Sequence, residues 1–274
     1  MHLSNYHSHC SFCDGRSMPE EFVKFALAKS FRAYGISSHG PLPFETFWNM
    51  SAFDMPEYLV EISRLKDKYQ GNLEIYTGME IDYLDTTYNP SIPYFQSLPL
   101  DYRIGSVHFL PIATELCEAN MVCIDGPFSE FKQAVDTYFE GDIRKMVKRY
   151  YESSIRMVEL GGIDIVGHLD KIYMNGQRCK DFSFTAPWYR NMVNEYLEVI
   201  AGKGLIVEIN TKNLLKKQQT FPRQEYLSRM RELQIPVMVN SDCHTPDLVN
   251  DGRQQAFDML KQAGYKSTCE LIAG

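Results

Sequence analysis

The chain has 274 residues, of which 44% are hydrophobic and 23% charged, and its formal net charge is −7. This composition is typical of a globular protein with a large core, and the acidic balance argues against a broad nucleic-acid interface, which usually needs a basic face. No apolar run reaches the roughly 18 residues of a membrane helix, and the first residues lack the basic and apolar regions of a signal peptide, so we expect a cytoplasmic protein without a membrane partner.

Short apolar runs alternate with helical patterns along the whole chain. Helices are predicted at residues 17–29, 54–69, 129–160 with a break at Gly141, 186–201, from Pro222 onward, and at 253–263. After a first strand at residues 6–9, further strands are predicted at 33–38, 73–79, 102–107, 163–167, 205–210 and 236–240. About seven strand–helix repeats favour a parallel sheet. No linker or low-complexity tract interrupts them, so we expect one domain over residues 1–274.

The segment Tyr6-His7-Ser8-His9 is the first chemical signal. On an extended strand the side chains of His7 and His9 point to the same side, where two imidazoles suit one metal ion. Two surface histidines on an ordinary strand would give the same pattern. A metal site is favoured because other candidate ligands also follow predicted strands, namely His39, Glu80, His108, His168, Asp242 and His244.

Candidate ligands at strand ends also bear on the fold. Active sites of parallel α/β folds lie at the carboxyl ends of the strands. A closed barrel would bring these side chains to one rim, whereas an open sheet would spread them over a wide edge, so closure is the more economical inference. With Asp14 in the first loop, the candidate ligands are His7, His9, Asp14, His39, Glu80, His108, His168, Asp242 and His244.

Nine candidates are too many for one ion, because a mononuclear site takes about four protein ligands. They indicate two or three divalent metal ions, and mixed imidazole and carboxylate ligands suit Zn, Mn or Fe. A carboxylate such as Glu80 could bridge two of the ions. Taken singly, each candidate has an ordinary explanation, such as a core histidine, a turn residue at Asp14 or a cap at Asp242. Their joint occurrence at equivalent points of successive repeats favours ligation.

The seven cysteines are odd in number and scattered, which fits reduced thiols better than a disulfide framework. Cys10 and Cys13 form one Cys-x-x-Cys pair, but no second pair accompanies it. We therefore interpret them as two semi-buried thiols beside the site, with a redox or zinc pair as the alternative.

The same residues resemble a known family. The motifs His7-Ser-His9, Asp14-Gly15, Ser38-His39, Gly78-Met-Glu80, Gly105-Ser-Val-His108, Gly167-His168-Leu-Asp170 and Ser241-Asp242-Cys-His244 resemble the motif series of the polymerase and histidinol phosphatase (PHP) family. The resemblance spans residues 3 to about 263. Segments 104–109 and 208–211 resemble the branch that hydrolyses L-histidinol phosphate in histidine biosynthesis.

The resemblance implies a distorted (β/α)7 barrel with a trinuclear metal site. Matched by position, one metal would be held by His7, His9, Glu80 and Asp242, a second by Glu80, His108 and His168, and a third by Asp14, His39 and His244. Asp14 stands where some members carry histidine, so the third site has harder ligands here.

The chemistry implied is hydrolysis of a phosphate monoester. Clustered dications neutralise the charge of the transition state and lower the pKa of a bound water from 15.7 towards ~7, which generates the attacking hydroxide. The products would be inorganic phosphate and an alcohol. The expected catalytic residues are Glu80, as a bridging ligand, and Asp242 or His244, which could assist proton transfer.

Basic side chains are expected to position the phosphate. Family members use arginines after the segments equivalent to His168 and Asn210, whereas this chain carries lysines there. Lysine is a point charge without the bidentate fork of arginine. The predicted substrate contacts are Lys171, Asn210, Lys216 and Lys217, with Asn210 facing the imidazole or amino group of the substrate. A solvated loop is the alternative for the lysines after Asn210, which also include Lys212.

Three functions remain to be distinguished. The leading hypothesis is a metal-dependent phosphomonoesterase acting on the small phosphorylated substrate L-histidinol phosphate. The same site could act on another small phosphate ester or on nucleic-acid phosphodiesters, although the acidic balance argues against nucleic acid. A non-catalytic PHP module is the third hypothesis, and it is disfavoured because every expected ligand position holds a competent residue.

Overall fold

A parallel sheet of seven strands lies at the centre of the molecule in the computed structural model, which describes residues 3–112 and 121–271. The strands are β1 (Leu3–Asn5), β2 (Phe31–Ile36), β3 (Glu74–Asp82), β4 (Tyr102–Ser106), β7 (Ile165–Val166), β8 (Ile206–Asn210) and β9 (Val237–Asn240), and they pair in this order. An antiparallel hairpin, β5 (Phe109–Pro111) and β6 (Met121–Cys123), is inserted between β4 and β7. The predicted (β/α)7 barrel is confirmed, but the hairpin was not predicted. The first strand lies at residues 3–5 instead of the predicted 6–9, so His7 and His9 follow the strand and do not belong to it.

Helices cross over between successive strands. They are α1 (Pro19–Ala28), α2 (Met55–Lys68), α3 (Pro93–Gln96), α4 (Phe128–Tyr138), α5 (Ile143–Leu160), α6 (Tyr173–Gly176), α7 (Pro187–Lys203), α8 (Leu214–Lys217), α9 (Leu227–Glu232) and α10 (Arg253–Gln262). The predicted break at Gly141 is confirmed, because this residue has a φ of 73° and Asp142 then caps α5 by accepting a hydrogen bond from the Arg144 amide. Within residues 3–112 and 121–271, no helix combines the length and apolar character that a bilayer span requires.

Aromatic side chains fill the interior of the barrel below the rim. Tyr6 packs edge-to-face against Tyr76 and Tyr102, with ring centroids 5.5 and 5.8 Å apart. The Tyr102 ring lies so close to Gly35 and Gly78 that a Cβ at either glycine would overlap it. Because the cluster draws on residues from or next to six strands, it can meet only inside the barrel. It forms a solid floor beneath the polar rim.

The seam between β1 and β9 is closed mainly by side chains. The only backbone bridge there among the described residues joins Ser8 and Cys243, just beyond the strands. Asn5 Oδ1 accepts from the Ser241 amide at 2.7 Å, and the buried Arg253 guanidinium donates to the carbonyl oxygens of Ser4 and Val239. These bonds satisfy backbone groups that a continuous ladder would otherwise pair, and they bring the first and last ligand segments together.

Candidate metal centre

The nine predicted ligands lie at one rim of the barrel, around three carboxylates. Glu80, at the end of β3, lies near ring nitrogens of His168 (2.8 Å), His39 (3.0 Å), His7 (3.2 Å), His9 (3.5 Å) and His108 (3.7 Å). Asp14 lies 3.2 Å from His244 and 3.9 Å from both His9 and His39. Asp242 lies 3.2 Å from His9, 3.7 Å from His244 and 3.9 Å from His7. Barrel closure therefore collects side chains that are up to 237 positions apart, from His7 to His244.

Three groups of these side chains have ligand atoms close enough to share an ion. The groups are His9, Asp14, His39 and His244; then His7, His9 and Asp242; then His39, Glu80 and His108. They resemble the three sets implied by the family, with four differences. His9 also joins the Asp14 group, and His39 also joins the Glu80 group. Glu80 is absent from the group of His7, His9 and Asp242, and His168 approaches Glu80 without belonging to a group.

Unsatisfied polar atoms at the rim fit bound cations. Buried oxygens of Asp14 and Glu80 and the Nδ1 atom of His39 lack a well-oriented hydrogen bond with any described residue, although Glu80 Oε2 and His39 Nδ1 lie 3.0 Å apart. The Nε2 atoms of His7 and His9 face each other at 3.1 Å, as do those of His108 and His168. Buried polar atoms are normally paired, and a cation between these nitrogens and oxygens would pair them. The donors are imidazole nitrogens and carboxylate oxygens, which suit Zn, Mn or Fe.

Two carboxylates behind the ligands were missed by the sequence analysis as site residues. Glu208, on β8, lies 2.8 Å from His7 Nδ1 and accepts a hydrogen bond from the His168 amide. Asp82 lies 2.9 Å from His108 Nδ1. Such partners fix the ring orientation and raise the basicity of a ligating histidine. The signal was present, because Asp82 follows Glu80 by two residues and therefore shares its side of β3.

The electrostatics of the rim follow from burial and from these carboxylates. Burial opposes ionisation of Glu80, but His7, His39 and His108 outweigh it and hold its pKa well below the usual range. Burial lowers the pKa of His9 well below its usual value, and neighbouring His39 adds to this. For His108, burial is outweighed by Asp82 and the pKa rises to about 9. The carboxylates are therefore ionised and His9 is neutral, as metal ligation requires, whereas His108 is protonated and would lose that proton on ligation.

A cavity of about 140 Å³ opens above the rim. Besides seven of the nine candidate ligands, its wall contains two lysines, Lys171 and Lys212. Lys212 Nζ lies 3.1 Å from Asp242 Oδ1 and 3.3 Å from His244 Nε2. The wall is completed by Phe47, Trp48, Cys123, Asp125 and Gly126, which come from the loop before α2 and from the hairpin region.

Of the four predicted substrate contacts, only Lys171 lines the cavity. Lys216 and Lys217 are exposed on α8 and do not line it. Asn210 is fully buried and donates hydrogen bonds to Glu208 and Asp242, so it supports Asp242 from behind. Lys212 lines the cavity where Lys216 and Lys217 were expected to do so, because the turn into α8 points the side chains of these two later lysines to solvent.

Two cysteines, Cys10 and Cys13, lie beside the candidate metal centre. Cys10 Sγ lies 3.1 Å from Ser38 Oγ, and Cys13 Sγ lies 3.5 Å from His9 Nδ1. Burial raises the pKa of both thiols, to about 11 for Cys10 and about 12 for Cys13. The six cysteines in the described part of the chain are all free thiols.

Comparison with known proteins places this geometry in a family. The PHP domain matches residues 5–212, three quarters of the chain. The chain belongs to the PHP family. The matched PHP region contains seven of the nine candidate ligands, all except Asp242 and His244.

Relatives align with most or nearly all of the PHP chain. The probable histidinol-phosphatase of Deinococcus radiodurans is 27% identical over 269 residues, covering 97% of this chain and 95% of that protein. The histidinol-phosphatase of Bacillus subtilis is 28% identical, covering 87% and 92%. The structure of a Lactococcus lactis histidinol phosphate phosphatase complexed with Zn, L-histidinol and phosphate superposes with a TM-score of 0.76 at 22% identity, covering 98% and 96%. At that identity the superposition shows a shared fold.

Proposed function

We propose that this PHP protein is a metal-dependent phosphomonoesterase that hydrolyses L-histidinol phosphate to L-histidinol and phosphate, as a single cytoplasmic domain over residues 1–274. The nine candidate ligands would hold two or three divalent ions. The observation that carries the proposal is the joint presence, at one rim, of Glu80 among five histidines and of two lysines in the cavity above. Relatives named histidinol-phosphatase that align along most of the chain support the substrate.

Each part of the rim has a distinct task in this proposal. When bound, the divalent ions supply charge neutralisation and Lewis acidity for attack of water on the phosphate. Lys171 and Lys212 add two positive charges that orient the phosphate oxygens. His244 is the most exposed rim histidine, with 19% of its side chain accessible against at most 8% for the others, so it is placed to exchange a proton with the leaving alcohol. Asp242 accepts a hydrogen bond from Lys212 and another from Asn210, so Asn210 positions Asp242 and Asp242 positions Lys212.

The size and charge of the site support a small substrate. The cavity is of small-molecule dimensions, and the net charge of −7 provides no basic face for nucleic acid. Binding of a nucleic acid at this centre would need an extended basic groove, because contacts to the backbone phosphates supply much of the affinity.

A phosphate-release panel with added Mn²⁺ or Zn²⁺ tests the proposal. L-histidinol phosphate is expected to be hydrolysed with a kcat/KM at least about tenfold above that of other small monoesters, because a site built for particular polar groups discriminates against esters that lack them. Single-stranded DNA is expected not to be degraded. Equal turnover of all monoesters would contradict the substrate, and degradation of DNA in preference to monoesters would contradict the reaction class.

Lys212 and Lys216 form a matched pair for testing phosphate binding. Lys212→Ala is expected to lower kcat/KM by about 10- to 100-fold, mainly through KM, because it removes a charge-assisted hydrogen bond to the phosphate. Lys216→Ala removes the same charge four residues later, outside the cavity, and is expected to leave kcat/KM within about twofold. Steady-state kinetics at fixed ionic strength give both values. Equal effects of the two changes would contradict the assignment.

A further inference from the structure

We propose that Asp125 is the residue with which the cavity selects a phosphate ester that also carries an ammonium group. The inference rests on the proposed function and extends it to the recognition of the substrate. Asp125 belongs to the part of the cavity wall that the hairpin region forms, which the sequence analysis did not predict.

Asp125 lies just after β6, with its carboxylate on the cavity wall. Its Oδ2 atom lies 3.0 Å from Lys171 Nζ, and 30% of its side chain remains accessible, whereas only 3% of the Lys171 side chain does. Burial opposes ionisation of Asp125, but Lys171 and His108 outweigh it and lower its pKa. The cavity wall therefore carries a negative charge that faces the space available to a substrate.

A carboxylate is an unexpected wall residue in a cavity that binds phosphate, because like charges repel strongly at short range. A structural explanation is that Asp125 serves only as the counterion of the buried Lys171. Asp125 is not used up by this pairing, however, because its contact with Lys171 is made through Oδ2 and 30% of its side chain stays accessible. A substrate with an ammonium group would turn the exposed part of the Asp125 carboxylate into an attractive contact.

The neighbouring wall residues fit the same kind of molecule. Trp48 lines the cavity and stacks on Phe109 of β5, with ring centroids 5.4 Å apart and an interplanar angle of 15°. Phe109 belongs to the hairpin that leads to Asp125, so this stacking joins the aromatic part of the wall to the segment that carries the carboxylate. L-histidinol phosphate has a phosphate, a primary amine and a planar imidazole, and the cavity offers cationic, anionic and aromatic groups for these three parts. Cys123, also on the wall, is not a competing reactive group, because burial raises its pKa to about 11.

The test compares two esters in the metal-loaded enzyme. L-histidinol phosphate carries the amine, and 3-(imidazol-4-yl)propyl phosphate is the same ester without the amine and its stereocentre. Asp125→Asn is expected to lower kcat/KM for the amine ester by about 10- to 100-fold, because it removes a charge-assisted contact, and to change kcat/KM for the deamino ester by less than about threefold. Asp125→Glu keeps the charge and is expected to preserve a preference for the amine ester. Asp136→Asn, on the exposed face of α4, is the matched control and is expected to change neither value.

Each outcome decides between the alternatives. Equal losses with both esters in Asp125→Asn would show that the carboxylate only supports Lys171. Unchanged kinetics with both esters would show that it neither supports Lys171 nor recognises the amine. Either result would overturn this inference and leave the proposed function standing. A wild-type enzyme that hydrolyses neither ester would overturn the proposed function and this inference with it. If Asp125→Asn fails to fold, as judged by circular dichroism, loss of the amine preference in Asp125→Glu would overturn the inference and its retention would support it.

Discussion

Replacing Glu80 with glutamine is expected to lower kcat/KM for phosphate-ester hydrolysis by more than about 10³-fold. Glu80 is the one carboxylate in the described part of the chain that lies within 3.7 Å of ring nitrogens of five histidines. Glutamine has the same shape but no negative charge, so it cannot neutralise two cations between these histidines. The glutamine side chain still has a carbonyl oxygen that can accept from the Ser106 hydroxyl, which donates to Glu80 at 2.6 Å. The loss is expected in activity and metal content while the fold is retained.

The measurement combines phosphate release, elemental analysis of the purified protein and circular dichroism. Glu152→Gln, on the exposed face of α5, is the matched control and is expected to retain wild-type activity and metal content. Activity of Glu80→Gln within about tenfold of the wild type would refute the central position of Glu80. A variant that is unfolded would be replaced by His168→Ala, for which loss of turnover is also expected because His168 lies 2.8 Å from Glu80.

Removing divalent ions with a chelator is expected to abolish turnover and to lower the melting temperature. Asp14, Glu80 and Asp242 bring three carboxylates to one partly buried rim, and the unfolded chain does not hold such a set of ligands together. An ion that binds only the folded protein stabilises it by roughly 3 to 4 kcal/mol at 100 to 1,000 times its dissociation constant. For a protein of this size that corresponds to a shift of roughly 10 °C.

Thermal unfolding and phosphate release are measured on the same chelated sample before and after adding back Mn²⁺ or Zn²⁺. Both activity and melting temperature are expected to recover on addition, and Mg²⁺ is expected to restore less because imidazole ligands suit it poorly. The Glu80→Gln variant provides the control, since its melting temperature is expected to respond less to the same additions. Full activity in protein shown by elemental analysis to be free of metal would contradict the metal-dependent mechanism.

The barrel could be predicted from the sequence because each strand–helix repeat carries its own local signal. Apolar runs, capping residues and glycine terminators mark most of the elements within a few residues, including the break at Gly141. The β5–β6 hairpin was missed because its two strands have only three residues each, too few to show an apolar run or an alternation. The short helices α3, α6 and α8 were missed for a similar reason, since four residues are too few to show a helical period.

The supporting residues were harder to predict than the ligands. Glu208 and Asp82 act through His7 and His108, so their roles depend on which side chains meet across the barrel. Applying the period of two to Glu80 and Asp82, as was done for His7 and His9, would have identified one of them. Spacing along the chain could not distinguish Lys212 from Lys216, because a turn between them decides which one faces the cavity.

The sequence by itself determined the barrel and the set of metal-ligand candidates, because strand ends are recognisable locally and a parallel barrel brings every such end to one rim. Only the tertiary structure decided which candidate ligands share a group, which lysines line the cavity and that Asp125 lines it as well. These features depend on distances between elements remote in the chain, such as Lys171 and Asp125 at 3.0 Å. Such distances are set by the packing of the whole barrel and of its hairpin, and no local pattern encodes them.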